Sequence, residues 1–261
     1  MIKALFFDID GTLVSFNTHE IPASAIEAIT AAKAKGIKIF IATGRPKAII
    51  NNLSALQSRN LIDGYVTMNG GYCFVGDEVI YKKSVPAEDV RTLARLSDEK
   101  DFPCIFVTEH SIAVCNPNEL VNKIFHEFLH VAPIPEKPTG EIIGNEIFQM
   151  TPFITVEEEK EILPLLPDCA AGRWFPAFTD VVGKGISKQK GIDEIIRHFG
   201  IALEETMAFG DGGNDIPMLR HAAIGVAMGN ASEEVQRSAD YVTASVDEDG
   251  IWKAMKHFEI I

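Results

Sequence analysis

Unbroken apolar runs, each too short for a helix and each followed by a helical pattern, recur at both ends of this chain. They constrain its fold more than any other feature. Lys3 to Phe7, Ile37 to Ala42, Thr206 to Phe209 and Ile224 to Ala227 are continuous rather than alternating, as strands buried on both faces are. Between them lie helical stretches. Pro22 to Lys35 begins with proline, sets Ile26 and Ile29 on one face and stops at Gly36. Pro46 is expected to open a helix carrying Ile49, Leu53 and Leu56, and further helices are expected over 188–199, over 215–222 and near Ser232 and Gly250. Strand-helix-strand alternation implies parallel pairing with right-handed crossovers, hence a doubly wound α/β core with a parallel sheet.

The middle of the chain breaks this rhythm. Tyr72 to Val75 and Val79 to Lys82, joined through Gly76-Asp77-Glu78, read as a hairpin. Beyond Ser84 the pattern is mixed, with helices expected over 87–100, 117–130 and 155–166 and with prolines clustered at 133, 135 and 138. We expect a core of residues 1–82 and 185–261 interrupted by an α+β insertion, residues 83–184, large enough to be a domain. At about 150 residues per domain, a 261-residue chain accommodates that division.

Charge limits the partners. Twenty-four Lys and Arg against 37 Asp and Glu leave a net charge of -13, a field that repels nucleic acid and anionic lipid. An anionic substrate would be repelled too, so a phosphate site must carry its own cations. Cys73, Cys104, Cys115 and Cys169 form no C-x-x-C pair, which argues against a zinc ribbon or a disulfide scaffold and suits a reducing compartment. Asp8 and Asp10 interrupt what would have to be the apolar core of a signal peptide, and no apolar run approaches a membrane span. A cytoplasmic location is the expectation, and no protein partner can be inferred.

In a doubly wound sheet, ligands bind beyond the carboxyl ends of the strands. The residues there are Asp8-Ile9-Asp10-Gly11-Thr12, Thr43-Gly44-Arg45-Pro46, Gly183 to Lys188, and Gly210-Asp211-Gly212-Gly213-Asn214-Asp215. Taken singly, each has a bland account: turn formers at a strand exit, a helix cap before proline, a tight glycine loop. Together they supply carboxylates for a magnesium ion and a lysine with small-residue amides for a phosphoryl group.

The D-x-D-G-T run at 8–12, the T-G-R at 43–45, Lys188, the G-D-G-x-N-D at 210–215 and Ala227-Met228-Gly229-Asn230-Ala231 resemble the haloacid dehalogenase superfamily, in particular its Cof-type sugar phosphatases. The resemblance spans essentially the whole chain. It implies a Rossmann-like core with an inserted cap that sets specificity, and magnesium-dependent hydrolysis of a small phosphorylated metabolite such as a hexose phosphate. It also implies roles. Asp8 would be the nucleophile that forms an aspartyl-phosphate, and Asp10 the acid and then the base. Thr43, Gly44 and Lys188 would bind the phosphate oxygens. The Asp8 carboxylate, the Asp10 backbone carbonyl and the Asp211 carboxylate would hold Mg2+. Asn214 would lie at the phosphate or the nucleophile, and Asp215 would orient Lys188 or a metal water.

Two rival enzymes stand beside that reading. A phosphomannomutase-like phosphotransferase shares this kind of core and cap. His126-Glu127-Phe128-Leu129-His130 matches the H-E-x-x-H of a zinc metalloprotease, provided that a regular helix sets both histidines on one face. A catalytically silent phosphate-binding regulator is disfavoured, since no expected catalytic position is replaced. Arg173 and Trp174 are candidates for sugar contact or for plain packing. Arg45 sits within T-G-R, with a surface ion pair explaining it nearly as well, and Asn69-Gly70-Gly71 is read as a plain turn ahead of a contribution to the site mouth.

Overall fold

From β1 (Ala4–Phe7) the chain runs through helix α1 (Ala23–Ala34), β2 (Lys38–Ala42), β3 (Gly64–Thr67), β4 (Tyr72–Val75) and β5 (Glu78–Lys82). Helix α2 (Ala87–Lys100) precedes β6 (Cys104–Val107), β7 (Ile112–Cys115) and β8 (Gln149–Pro152). Helix α3 (Val156–Ile162) then leads to β9 (Cys169–Phe175) and β10 (Phe178–Gly183). The chain continues through α4 (Lys188–Phe199), β11 (Thr206–Gly210), α5 (Ile216–His221), β12 (Ile224–Ala227), β13 (Tyr241–Val242) and α6 (Gly250–His257). This computed structural model describes residues 1–261 and divides into two units: Met1–Gly44, Asn51–Tyr81 and Ser187–Ile261 in the first, Arg45–Ile50 and Lys82–Ile186 in the second.

The first unit carries an eight-stranded sheet in the order β13-β12-β11-β1-β2-β3-β4-β5. Pairing is parallel from β13 to β3, and β4 turns back antiparallel to β3. Ala4, Leu5, Phe6 and Phe7 are all 0% exposed, the burial that an unbroken apolar run requires of a central parallel strand. Phe6 stacks on Phe40 with ring centroids 4.9 Å apart, and Ile192 and Ile195 of α4 belong to the same buried cluster. Helix α4 begins where the Ser187 hydroxyl accepts from the Lys190 N–H at 3.2 Å and ends at Gly200 with φ of 65°. β1 lies between β2 and β11, so the strand ends leading to Asp8, Thr43 and Asp211 are adjacent.

The second unit is a five-stranded sheet, β7-β6-β8-β10-β9, antiparallel throughout. One apolar cluster joins Leu93 of α2, Ile162 of α3, and Phe106, Met150 and Val181 of the sheet. Helix α3 starts at a capping box in which the Thr155 hydroxyl accepts from the Glu158 N–H and the Glu158 carboxylate from the Thr155 N–H.

Two expected helices differ. The stretch after Pro46 forms a 3₁₀ turn, Lys47–Ile49, and a separate turn, Ser54–Gln57. Ile50 between them is extended, and the chain passes there from the second unit back to the first. Residues 117–130 form one α-turn, Glu119–Val121, followed by a π-helical segment, Asn122–Phe128. No helix is long and apolar enough to cross a membrane.

Candidate active site

The site is built on the exit of β1. Asp8 stays tied to the sheet, its N–H donating to the Phe209 carbonyl at 3.0 Å. The chain then coils, the Ile9 carbonyl accepting from the N–H groups of Thr12, Leu13 and Val14. Gly11 permits that coil at φ of 87°, and a Cβ there would lie 2.2 Å from Asp211 Oδ2. The motif glycine therefore serves both conformation and close approach.

Lys188 anchors the charges. Wholly buried, its Nζ donates to Asp8 Oδ1 and to Asp215 Oδ1, each at 2.5 Å. The other Asp215 oxygen accepts from the N–H groups of Asp211 and Gly212 at 2.9 Å, which folds the glycine-rich loop around it. Asp211 is held by the Thr12 hydroxyl at 2.8 Å and, more loosely, by Asn230 Nδ2 at 3.4 Å. Asn230 also donates to the Gly11 carbonyl at 2.9 Å and accepts from the Val246 N–H at 3.0 Å. Sequence reasoning quoted Thr12 and Asn230 within their motifs and gave neither a role.

Carboxylate oxygens of Asp8, Asp211 and Asp215 lie within 4.8 Å of one another. One ammonium faces three acids. Burial raises the Asp8 carboxyl to about 7, with Asp215 and Asp10 adding to the rise and Lys188 opposing it. Asp211 is pushed well above the carboxylate range by burial and by the charges of Asp8 and Asp215. Burial would lower the Lys188 ammonium, but Asp215 and Asp8 outweigh it and raise it. Hard oxygen donors with uncompensated negative charge fit a divalent cation such as magnesium, and Asp8 and Asp211, with the backbone carbonyl of the half-buried Asp10, would hold it.

Thr43 is buried at the end of β2, its N–H donating to the Val66 carbonyl at 2.8 Å, and Gly44 follows it, also buried. Asn214 is half-buried on the loop after β11, its Nδ2 donating to Asn69 Oδ1 at 2.9 Å. Asp8, Lys188, Asp211 and Asp215 are thus joined directly, while Asn214 connects through Asn69, a residue read from sequence as part of a turn.

Four alternatives left open by the sequence are narrowed by the geometry. The H-E-x-x-H run begins on the π-helical segment and outruns it, since that segment ends at Phe128. His126 Nδ1 is bonded to the Val131 carbonyl at 3.0 Å, and His130 lies past the helix end at φ of 53°. The two imidazoles do not share the face a zinc protease requires. Arg173 is consumed within the second unit. Its Nε and Nη2 donate to Glu159 at 3.0 and 2.7 Å, Nη1 to the Pro176 carbonyl at 2.9 Å and Nη2 to the Ile154 carbonyl at 3.0 Å. Arg45 is no surface residue: it is 4% exposed, and its Nη1 donates to the Ile49 carbonyl at 3.0 Å. Trp174 takes the packing alternative, its Nε1 donating to Asp180 Oδ2 at 3.1 Å and its ring meeting Phe178 edge-on.

The haloacid dehalogenase-like hydrolase family model matches residues 5–255. A solved structure of a HAD subclass IIB sugar phosphatase is 71% identical, covering 99% of this chain and 100% of that one with a TM-score of 0.98. A phosphatase of the haloalkanoate (HAD) superfamily from Bacteroides thetaiotaomicron is 40% identical, covering 100% of this chain and 96% of that one with a TM-score of 0.90. The 5-amino-6-(5-phospho-D-ribitylamino)uracil phosphatase YcsE of Bacillus subtilis (strain 168) is 28% identical, covering 98% of this chain and 96% of that protein.

Proposed function

The chain belongs to the haloacid dehalogenase-like hydrolase family and is a phosphatase, and we propose that it hydrolyses small sugar phosphates, hexose phosphates above all, through a phosphorylated Asp8. The observation that carries this reading is the cluster of buried Asp8 and Asp215, both bonded to Lys188, with the half-buried Asp211. A sugar phosphatase is also what the 71% identical relative is named.

The chemistry divides into two displacements. An Asp8 carboxylate oxygen attacks phosphorus, the bond to the leaving alcohol breaks, and the alcohol oxygen takes the proton of Asp10. A water molecule then attacks the phosphorus and gives its proton to Asp10. The bond to Asp8 breaks, and inorganic phosphate leaves. Asp8 and Asp10 lie two residues apart where the chain leaves β1 and coils. Lys188 favours the ionised form of Asp8 against burial, and with Thr43, the Gly44 amide and Asn214 it binds the phosphoryl oxygens, where charge accumulates in a loose transition state. Asp215 keeps Lys188 in place. Asp8, Asp211 and the Asp10 carbonyl would hold magnesium, which would supply positive charge against the phosphoryl group.

The test is release of inorganic phosphate from a hexose 6-phosphate with magnesium present. Asp8→Asn abolishes it, because an amide cannot form the acyl-phosphate. Accumulation of an isomerised hexose phosphate without free phosphate would identify a mutase instead, and full turnover in Asp8→Asn would overturn the nucleophile.

A further inference from the structure

The turn after β3 holds three consecutive residues with positive φ: Met68 at 51°, Asn69 at 53° and Gly70 at 98°. All three are buried, and a bulky side chain such as methionine is rare in that region of backbone space. Such conformations persist where the surroundings over-determine them, and they cluster at functional sites.

The surroundings here belong to the site. The Asn69 N–H donates to the Thr43 carbonyl at 3.0 Å, and Asn69 Oδ1 accepts from Asn214 Nδ2 at 2.9 Å. A Cβ on Gly70 would lie 2.0 Å from the carbonyl oxygen of Ser187, the residue before Lys188. One turn along α4, a Cβ on Gly191 would lie 2.2 Å from Val66 Cγ1. This one turn therefore touches the backbone of Thr43, the side chain of Asn214 and the start of the helix that carries Lys188.

We propose that Asn69 is a positioning residue for phosphoryl transfer. It fixes the Asn214 amide, while the left-handed turn that carries it seats the first turn of α4. The proposal rests on the reading above, in which Asn214 meets the substrate phosphate. A turn needing only left-handed backbone would be served as well by glycine. The Asn69 Oδ1 that accepts from the Asn214 amide is what glycine lacks.

That difference is the experiment. Asn69→Gly keeps the conformation and removes the acceptor, so it retains the wild-type thermal midpoint to within a few degrees. Its kcat/KM for a hexose 6-phosphate is expected to fall about tenfold, and Asn69→Gly/Asn214→Ala to lose no more than Asn214→Ala alone. Calorimetric titration with inorganic phosphate and magnesium needs no turnover, and phosphate affinity weakens in Asn69→Gly but no further in the double variant. Wild-type activity retained in Asn69→Gly, or losses that multiply in the double variant, would overturn the proposal. A folded wild type that binds phosphate without hydrolysing esters would refute the phosphatase reading instead, and the binding cycle would still decide the role of Asn69.

Discussion

Both units bury carboxylates, and they treat them in opposite ways. In the second unit Asp89, 2% exposed, accepts from the Asp168 N–H at 3.0 Å and the Cys169 thiol at 3.3 Å. Asp180, 3% exposed, accepts from the Thr151 hydroxyl at 2.8 Å and the Trp174 indole at 3.1 Å. Neutral donors are brought to each acid, which is how a fold tolerates a buried polar group. The first unit does the reverse: Asp8, Asp211 and Asp215 crowd together around one ammonium. Stability alone does not favour that arrangement, since like charges raise the cost of burial. Unbalanced buried charge, more than burial itself, separates the chemical site from the scaffold.

Lys188→Met should break the contrast most severely. It leaves Asp8 and Asp215 without their shared cation, and removing one partner of a buried ion pair costs about 3–5 kcal/mol. Turnover should vanish as well. In the second unit Asp180→Asn should cost less, about 1–3 kcal/mol, since its hydrogen bonds from Thr151 and Trp174 come from neutral donors. Urea unfolding of both variants without metal measures the difference. A Lys188→Met protein as stable as wild type would show that the acids in the first unit are not held by charge.

The next effect depends on pH. Asp8 titrates near 7 in the folded, metal-free protein against an ordinary 3.8, and Asp211 is raised in the same direction. The folded state then holds more protons than the unfolded chain between those values, so the stability contributed by these groups is present below pH 4 and lost as pH rises through about 7. On the proposed reading magnesium binds the ionised acids of the folded state, which would offset that loss. The melting temperature difference between magnesium and chelator should therefore widen from pH 5 to pH 8. An increment independent of pH would detach the metal from these carboxylates.

Arg173→Ala probes the second unit. The guanidinium ties β9 to Glu159 and to the Ile154 and Pro176 carbonyls, so its loss should cost about 1–3 kcal/mol and leave kcat on an aryl phosphate unchanged. The opposite pattern, unaltered stability with a raised KM for sugar phosphates alone, would return Arg173 to the list of substrate contacts.

These contrasts explain what could be read from the sequence. The parallel core was legible because Lys3 to Phe7 and its counterparts are unbroken apolar runs ending in polar turns, and sheet topology carries those turns to one edge. Asp8, Asp211 and Lys188 could be found because their motifs are local. The Asn69–Asn214 bond was not, because it joins residues 145 apart through a turn whose strain is invisible in one dimension. In the second unit the two alternatives for Arg173 stayed open for a physical reason: an arginine that binds an anion and one that caps carbonyls have the same sequence appearance. The H-E-x-x-H run kept its rival reading for a similar reason, since nothing in its pattern announces a π-helical segment.

The smallest expected effect concerns the thiols, and it tests whether the two units behave separately. Cys73 belongs to the apolar cluster of the first unit, and Cys104, Cys115 and Cys169 to that of the second. Burial raises all four, Cys115 to about 12, with nearby acids adding to the rise at Cys73, Cys115 and Cys169. At pH 8 almost no thiolate exists in the native state, so an aromatic disulfide reagent should leave activity intact over the time in which it labels the unfolded protein completely. Slow labelling must then pass through local or global opening. If magnesium with inorganic phosphate binds the unit that holds the acids, it should slow modification of Cys73 more than that of the other three, as read by mass spectrometry of quenched samples. Equal slowing at all four cysteines would mean that the units open together, and the contrast between them would then be one of chemistry and not of cooperativity.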